Sequence, residues 1–271
     1  RAASEVARAY LSHEVVLGDM LDHVGLRRNA ERRVSPTSPA RAELPQDLSL
    51  EVSSRGPLAL DEEATRYILR RPIPAVAAPV APPVATIVVP VRDNLAYTRL
   101  TLESVLASTE QPSYELVLLD DSCPEPTRQY LEVLAARNRH LRLIRNDPAI
   151  GLAACCNQGF TASRAEILVL LEDDVIVTPN WLTDLGAHLE DPATGLVSPA
   201  TNRCRGAAQV SSSYTTYGEM VEFARRRREE FATGDTREAD VVDMFCVALR
   251  RSVFVRVQSP GRFAGDSLIG A

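Results

Sequence analysis

Lysine is absent from this chain of 271 residues, and all thirty of its basic residues are arginine. A GC-rich genome accounts for the bias, but the absence still excludes several chemistries. A P-loop lysine, a Schiff-base lysine and pyridoxal-dependent catalysis all need the missing amine. The net charge of −6 gives no basic surface for nucleic acid, so we predict no nucleic-acid partner.

Cysteine is also scarce, and its spacing fits no metal site. The five cysteines are Cys123, Cys155, Cys156, Cys204 and Cys246. An odd number without a C-x-x-C pair favours reduced thiols over a zinc site or a disulfide framework. No apolar run approaches the roughly 18 residues that span a bilayer. We therefore expect a cytoplasmic location.

A proline-rich stretch divides the chain. Residues 1–70 combine a helical pattern over 1–33, a polar loop and a short helix that begins near Asp61. Residues 71–85 read RPIPAVAAPVAPPVA, a composition typical of a stiff, extended linker. We predict a helical or irregular segment over 1–70, a linker over 71–85 and one domain over 86–271. The chain starts without methionine and ends abruptly, so we expect it to be a piece of a longer protein.

Strands alternate with helices after the linker. Strands are predicted at 86–89, 115–119, 141–144, 167–171, 195–199 and 243–249, and helices at 96–108, 126–137, 151–162 and 217–232. Alternation at this spacing predicts an α/β fold, in which a mostly parallel sheet carries helices on both faces.

Polar residues follow three of the predicted strands where each one ends. These segments are Arg92-Asp93-Asn94, Asp120-Asp121 and Glu172-Asp173-Asp174. Ligands of such sheets bind beyond the carboxyl ends of the strands. Three successive carboxylates repel one another, and a divalent metal that carries a phosphate group relieves the repulsion. The convergence of these segments predicts a binding site at this edge.

Six segments in order resemble the family 2 glycosyltransferases, which have the nucleotide-sugar-binding fold called GT-A. They are TIVVPVRDN at 86–94, ELVLLDDS at 115–122, RNDPAIGLAACCNQGF at 145–160, ILVLLEDDVIVTPNWL at 167–182, GLVSPATN at 195–202 and VDMFCVALRRSVF at 242–254. The resemblance covers about two thirds of the chain. Its layout is most similar to members that build bacterial cell-surface polysaccharides.

The resemblance implies roles for individual residues. Asp121 would accept a hydrogen bond from the N3–H of uracil or thymine, and Asp174 would ligate Mg²⁺ or Mn²⁺. The implied nucleotide-binding residues are Pro90, Arg92, Asp120, Asp121, Gly151, Asn157 and Asp173. The implied metal ligands are Asp174 and Glu172, and the implied catalytic residues are Asp174 and Asp173.

The reaction implied by the resemblance is inverting transfer of a sugar from a UDP- or dTDP-sugar. The acceptor would be a glycan or a lipid-linked molecule, which leaves room for peripheral association with the inner face of a membrane. The metal would stabilise the departing nucleoside diphosphate. An acceptor hydroxyl would then attack from the opposite face, with a carboxylate as base.

Several positions depart from the family pattern. Arg92 stands where tyrosine is common, Cys156 stands where many members have arginine, and Glu172 replaces aspartate or asparagine. The acidic motif that usually supplies the base does not follow residue 254. A nucleotide-binding pseudoenzyme is therefore the main alternative. A nucleotidyltransferase lacks support because PVRDNLAY, at 90–97, contains no glycine, and a dinucleotide-dependent oxidoreductase lacks a G-x-G-x-x-G motif.

Overall fold

The computed structural model describes residues 43–52, 58–204, 208–231, 236–239 and 242–257. The helix predicted over 1–33 lies outside these ranges. The end of the predicted domain, residues 258–271, lies outside them as well.

Strands and helices alternate along the described chain. The strands are β1 (Glu51–Val52), β2 (Leu58–Ala59), β3 (Ala85–Val91), β4 (Tyr114–Asp121), β5 (Leu141–Asn146), β6 (Ile167–Leu171), β7 (Leu196–Val197) and β8 (Cys246–Arg250). The helices are α1 (Glu62–Arg70), α2 (Leu95–Ser108), α3 (Thr127–Arg137), α4 (Leu152–Ala162), α5 (Trp181–His188), α6 (Tyr217–Glu230) and α7 (Arg251–Val257).

The main sheet has six strands in the order β5-β4-β3-β6-β8-β7. β5, β4, β3 and β6 run parallel, whereas β8 is antiparallel to both of its neighbours. β3 is therefore flanked by β4 and β6, so the three predicted polar segments follow three adjacent strands. The predicted α/β fold of the GT-A type, with a mostly parallel sheet, is confirmed.

Each face of the sheet packs against its own helices. All seven residues of β3 are buried. Ile87 and Val89 contact the apolar cluster under α2, α3 and α5, whereas Val88 contacts the cluster under α4 and α7. Gly159 brings α4 close to the sheet, since a Cβ there would lie 2.3 Å from Cγ1 of Val88. Helices thus cover both faces, as predicted.

The proline-rich stretch forms neither helix nor strand before Ala85, and polar side chains hold it against the domain. The Nδ2 of Asn138 donates to the carbonyl of Pro74 over 3.0 Å, and its Oδ1 accepts from the N–H of Val76 over 2.7 Å. The hydroxyl of Ser113 donates to the carbonyl of Pro82 over 2.6 Å. The division into segments at 1–70, 71–85 and 86–271 stays a prediction.

The predicted strands at 86–89, 115–119 and 141–144 are longer in the structure, by two to three residues, whereas the two predicted strands nearest the C-terminus are shorter. The strand expected at 243–249 begins only at Cys246, so Asp243 lies in the preceding loop. The strand expected at 195–199 is reduced to Leu196–Val197 at the sheet edge. In the ranges that the structure describes, no helix has the length and apolar character needed to cross a membrane.

Candidate active site

The three polar segments meet at the carboxyl edge of the sheet. The backbone N–H of Arg92, just past β3, donates to Oδ2 of Asp173, just past β6, over 3.2 Å. On the other side of β3, Val91 pairs with Asp120 in the parallel ladder. The structure therefore brings the ends of β4, β3 and β6 together, because a parallel sheet aligns strands that are far apart in sequence.

Asp121 ends β4 and accepts hydrogen bonds from two backbone amides. The N–H of Ile150 donates to its Oδ1 over 2.8 Å, and the N–H of Gly151 donates to its Oδ2 over 2.9 Å. Burial acts to raise the pKa of Asp121, but these hydrogen bonds outweigh burial and hold the pKa below its usual range. Asp121 is therefore held ionised at the start of α4, in contact with predicted site residue Gly151.

Gly151 is needed here for its backbone conformation. Its φ is +84°, a value that residues with a Cβ rarely adopt. A Cβ at this position would meet nothing within 4 Å. The space beside Gly151 is consequently open to a ligand, next to the exposed side chain of Ile150.

Asp120 has a different environment from its neighbour Asp121. It is fully buried, and its carboxylate accepts from the N–H of Cys123 over 2.7 Å and from Nε of Arg145 over 2.9 Å. Nε of Arg128 lies 3.8 Å away. Asp120 is one of the predicted nucleotide-binding residues, and its contacts in the structure shape the turn that follows β4.

The acid triplet, Glu172-Asp173-Asp174, follows β6 and has few donors. Asp173 accepts from Arg92 and, over 3.3 Å, from the hydroxyl of Thr98. Burial raises the pKa of Asp173 despite these contacts, and repulsion from Asp174 adds to the rise. Burial and repulsion from Asp174 likewise raise the pKa of Glu172. Asp174 itself is exposed.

Carboxylate oxygens are the ligands that Mg²⁺ and Mn²⁺ prefer. Attraction by Arg92 acts to lower the pKa values of Glu172 and Asp173, but both remain above their usual ranges, so the fold compensates this negative charge only in part and the donor set fits a divalent cation. Within the described ranges, no three histidine, cysteine or acidic side chains are already grouped as a metal site. Phosphate oxygens of a ligand would have to complete the coordination.

The other predicted nucleotide-binding residues occupy different environments. The Arg92 side chain is exposed at the edge, where it is free to contact a ligand. Asn157 is half-buried on α4, and Pro90 is buried within β3. Cys156 is buried on the sheet-facing side of α4, and burial raises the pKa of its thiol to about 12, which makes it unreactive.

Three residues at this edge carried no role in the sequence interpretation. Asn146 ends β5, lies 3.4 Å from Oδ1 of Asp121 and exchanges two amide hydrogen bonds with Gln158. Thr98 contacts Asp173, and Asp243 is close enough to raise the pKa of Glu172. Asn146 could have been identified from the sequence, because it is a polar residue close to the end of a predicted strand. Thr98 and Asp243 had no such signal, because one lies inside a helix and the other inside a predicted strand.

A family model described as glycosyl transferase family 2 matches residues 86–257. The chain belongs to glycosyl transferase family 2. The match begins at β3 and ends with α7, so it contains every residue of the candidate site. The predicted family is thereby confirmed.

Individual relatives are more distant. An uncharacterized protein, y4gI of Sinorhizobium fredii, is 29% identical over 61% of this chain and 19% of its own length. The O-antigen biosynthesis protein RfbC of Myxococcus xanthus is 27% identical over 56% of this chain and 11% of its own length. The chain thus spans a fifth or less of the length of these two relatives.

A solved structure of the mannosyltransferase PcManGT from Pyrobaculum calidifontis, in complex with GDP-Man and Mn²⁺, is also similar. It is 19% identical, with a TM-score of 0.49, over 71% of this chain and 52% of its own.

Proposed function

We propose that this chain transfers a sugar from a UDP- or dTDP-sugar to a glycan or lipid-linked acceptor, with inversion and with a divalent metal. The observation that carries the proposal is the pair of acidic strand ends on either side of β3. Asp121 is held ionised by backbone amides, whereas the acid triplet carries charge that the fold compensates only in part. Asp121 suits a nucleobase that donates an N–H, and the acid triplet suits a divalent metal ion bound to a diphosphate.

The nucleoside would bind between the ends of β3 and β4. Asp121 accepts from the amides of Ile150 and Gly151 and also, more weakly, from Nδ2 of Asn146 and the thiol of Cys155, so the N3–H of uracil or thymine would displace one of these two weaker donors. The open space at Gly151 lets the ligand approach the backbone. Arg92 is exposed at the same edge, where its guanidinium can stack on the base or contact a phosphate.

Asp174 and Glu172 would hold Mg²⁺ or Mn²⁺, and Asp173 would line the same site. The bound ion supplies Lewis-acid stabilisation of the nucleoside diphosphate as it leaves. Asp174 is the residue best placed to reach a ligand, because it is the exposed member of the triplet. Asp173 is partly committed to Arg92 and Thr98, which fixes its orientation at the edge.

Calorimetric titration tests the donor site directly. UDP and dTDP are titrated into the wild type with Mn²⁺ and with EDTA, and then into Asp174→Ala. We expect binding that requires Mn²⁺, and an affinity at least about tenfold weaker in the variant, as for the loss of a group that supports a metal. Glu190→Ala is the control, because Glu190 is exposed and far from the acid triplet. It lies in the segment 189–194, whose carbonyls accept hydrogen bonds from Arg250 at the edge of the sheet opposite the candidate site.

The outcomes separate the candidate functions. Binding of neither nucleotide to the folded wild type contradicts the donor site. Metal-dependent binding without release of nucleoside diphosphate from a UDP-sugar, in the presence of acceptor glycans, favours the pseudoenzyme alternative. The observation in favour of the pseudoenzyme alternative is Cys156, which is buried at a position where many family members have arginine.

A further inference from the structure

Residues 43–52 and 58–71, here called the N-terminal brace, precede the family match yet pack against α2 and α6 of the family domain. Three backbone hydrogen bonds of 2.8–2.9 Å join the brace to the start of α6. They run from the N–H of Leu50 to the carbonyl of Thr215, from the N–H of Tyr217 to the carbonyl of Leu48, and from the N–H of Gly218 to the carbonyl of Gln46. The brace is therefore docked by directional contacts as well as by apolar burial.

An apolar cluster links the brace to the loop that follows the acid triplet. Its buried members are Leu44, Leu48, Leu50, Ala64 and Ile68 from the brace, Leu100 from α2, and Tyr214, Tyr217 and Met220. Ile176, which closely follows Asp174 in the chain, packs against this cluster. The next residue, Val177, is buried in the main core, and its N–H donates to the hydroxyl of Ser104 over 3.0 Å. The loop is thus held between the main core and the brace.

A buried ionic network links the brace to the acid triplet by a second route. Arg99 on α2 is 2% exposed and donates to the carbonyls of Leu69 and Arg71 over 2.9 and 2.7 Å. Both Arg99 and Arg71 also donate to the buried carboxylate of Glu103. Arg99 follows Thr98, the residue whose hydroxyl contacts Asp173. The brace therefore fixes the turn of α2 that touches the triplet.

We propose that the N-terminal brace positions the acid triplet, and that donor binding by the family domain depends on this segment outside it. The consequence for binding rests on the proposed function. The positioning itself is a property of the fold, and it can be measured without any ligand.

Gly218 offers a substitution that displaces the brace without touching the site. A Cβ at Gly218 would lie 2.8 Å from the carbonyl oxygen of Gln46, which is too close for either to stay in place. Gly218→Ala should push residues 46–50 away from α6, although alanine favours the helix itself. Gly195→Ala is the matched control, since a Cβ there meets nothing within 4 Å.

Hydrogen exchange and calorimetry together test the proposal. Peptides that cover 172–177 report on the loop, because the N–H groups of Glu172 and Val177 are hydrogen-bonded. We expect amide exchange there to be at least about tenfold faster in Gly218→Ala and unchanged in Gly195→Ala. We also expect the affinity for UDP with Mn²⁺ to weaken about fivefold or more in Gly218→Ala alone, while the protein remains folded.

The two readouts distinguish the failures. Faster exchange at 46–50 with unchanged exchange at 172–177 overturns the positioning role. If UDP binds neither the wild type nor any variant, the proposed function is contradicted. The exchange measurement then still tests whether the brace positions the acid triplet. If Gly218→Ala does not fold, Leu44→Val replaces it, because it removes one methylene from the brace. Unchanged exchange at 172–177 in that variant also overturns the role.

Discussion

The two acidic strand ends differ in how the fold treats their charge. At the end of β4, Asp121 has two backbone N–H donors and Asp120 has the guanidinium of Arg145. At the end of β6, Asp173 has two longer contacts, of 3.2 and 3.3 Å. The pKa of Asp121 lies below its usual range, whereas the pKa values of Glu172 and Asp173 lie above theirs.

The carboxylates at the end of β4 therefore stabilise the free protein, whereas we expect those at the end of β6 to be compensated only when a ligand binds. Carboxylates that the fold pairs with donors hold loops in place, as Asp121 holds Ile150 and Gly151. Carboxylates crowded together with few donors destabilise the free protein. Such a cost is typical of functional sites, where the missing partner arrives with the substrate.

The largest effect is expected from Asp120→Asn, which should lower the free energy of unfolding by about 3 kcal/mol. The amide cannot neutralise Arg145 and Arg128, which then face a buried neutral group. The value lies at the low end for a broken buried pair because the two arginines are 38% and 30% exposed. Urea denaturation measures the change, with the exposed Asp147→Asn as control. Equal losses in both variants would show that the pairing of Asp120 adds little.

Asp121→Asn should cost about 2 kcal/mol at neutral pH, since its amino group would face a backbone N–H donor. Because folding lowers the pKa of Asp121, its ionised side chain stabilises the folded protein fully when the pH is above the pKa of the unfolded state, about 3.9. This contribution to the free energy of unfolding is lost as the pH falls through the lower pKa of the folded state. The stability gap between wild type and variant should therefore be constant above about pH 5 and close below about pH 4. Denaturation curves from pH 3 to 7 test this, and a gap that widens in acid contradicts it.

The smallest effect, and one of opposite sign, is expected from Glu172→Gln in EDTA. Folding raises the pKa of Glu172, so its ionised form at neutral pH opposes folding. Removing the charge should raise the unfolding free energy by less than about 1 kcal/mol, because water partly screens the group. Mn²⁺ should stabilise the wild type more than the variant. Glu190→Gln is the control, and a loss of stability in EDTA would show that the two strand ends are alike.

The sequence predicted the strands of the site well because they are buried on both faces. Ile167–Leu171 is an uninterrupted aliphatic run, and the observed β6 has the predicted bounds. The arginine-rich part of α6 forms a solvated face with ion pairs. Arg225 pairs with Glu222 over 2.7 Å, and both side chains are about half exposed.

Boundaries at the sheet edge were less predictable. β8 begins at Cys246 because the apolar pattern of 243–249 does not show where pairing with β6 starts. Asp243 was consequently placed in a strand, although it lies in the loop before β8 and its charge acts on Glu172. Thr98 had no signal of its own, since its contact with Asp173 spans 75 positions in the chain.

The sequence by itself determined the family, the alternation of strands and helices, and the acidic residues at the strand ends, because these follow from local patterns and from ordered motifs. Tertiary structure decided which acids are satisfied and which are not. Asp120 and Asp121 are adjacent in sequence, yet one faces arginines inside the fold and the other faces the amides before α4. Only the packing of distant segments supplies those donors, and only packing joins residues 43–71 to the loop after Asp174.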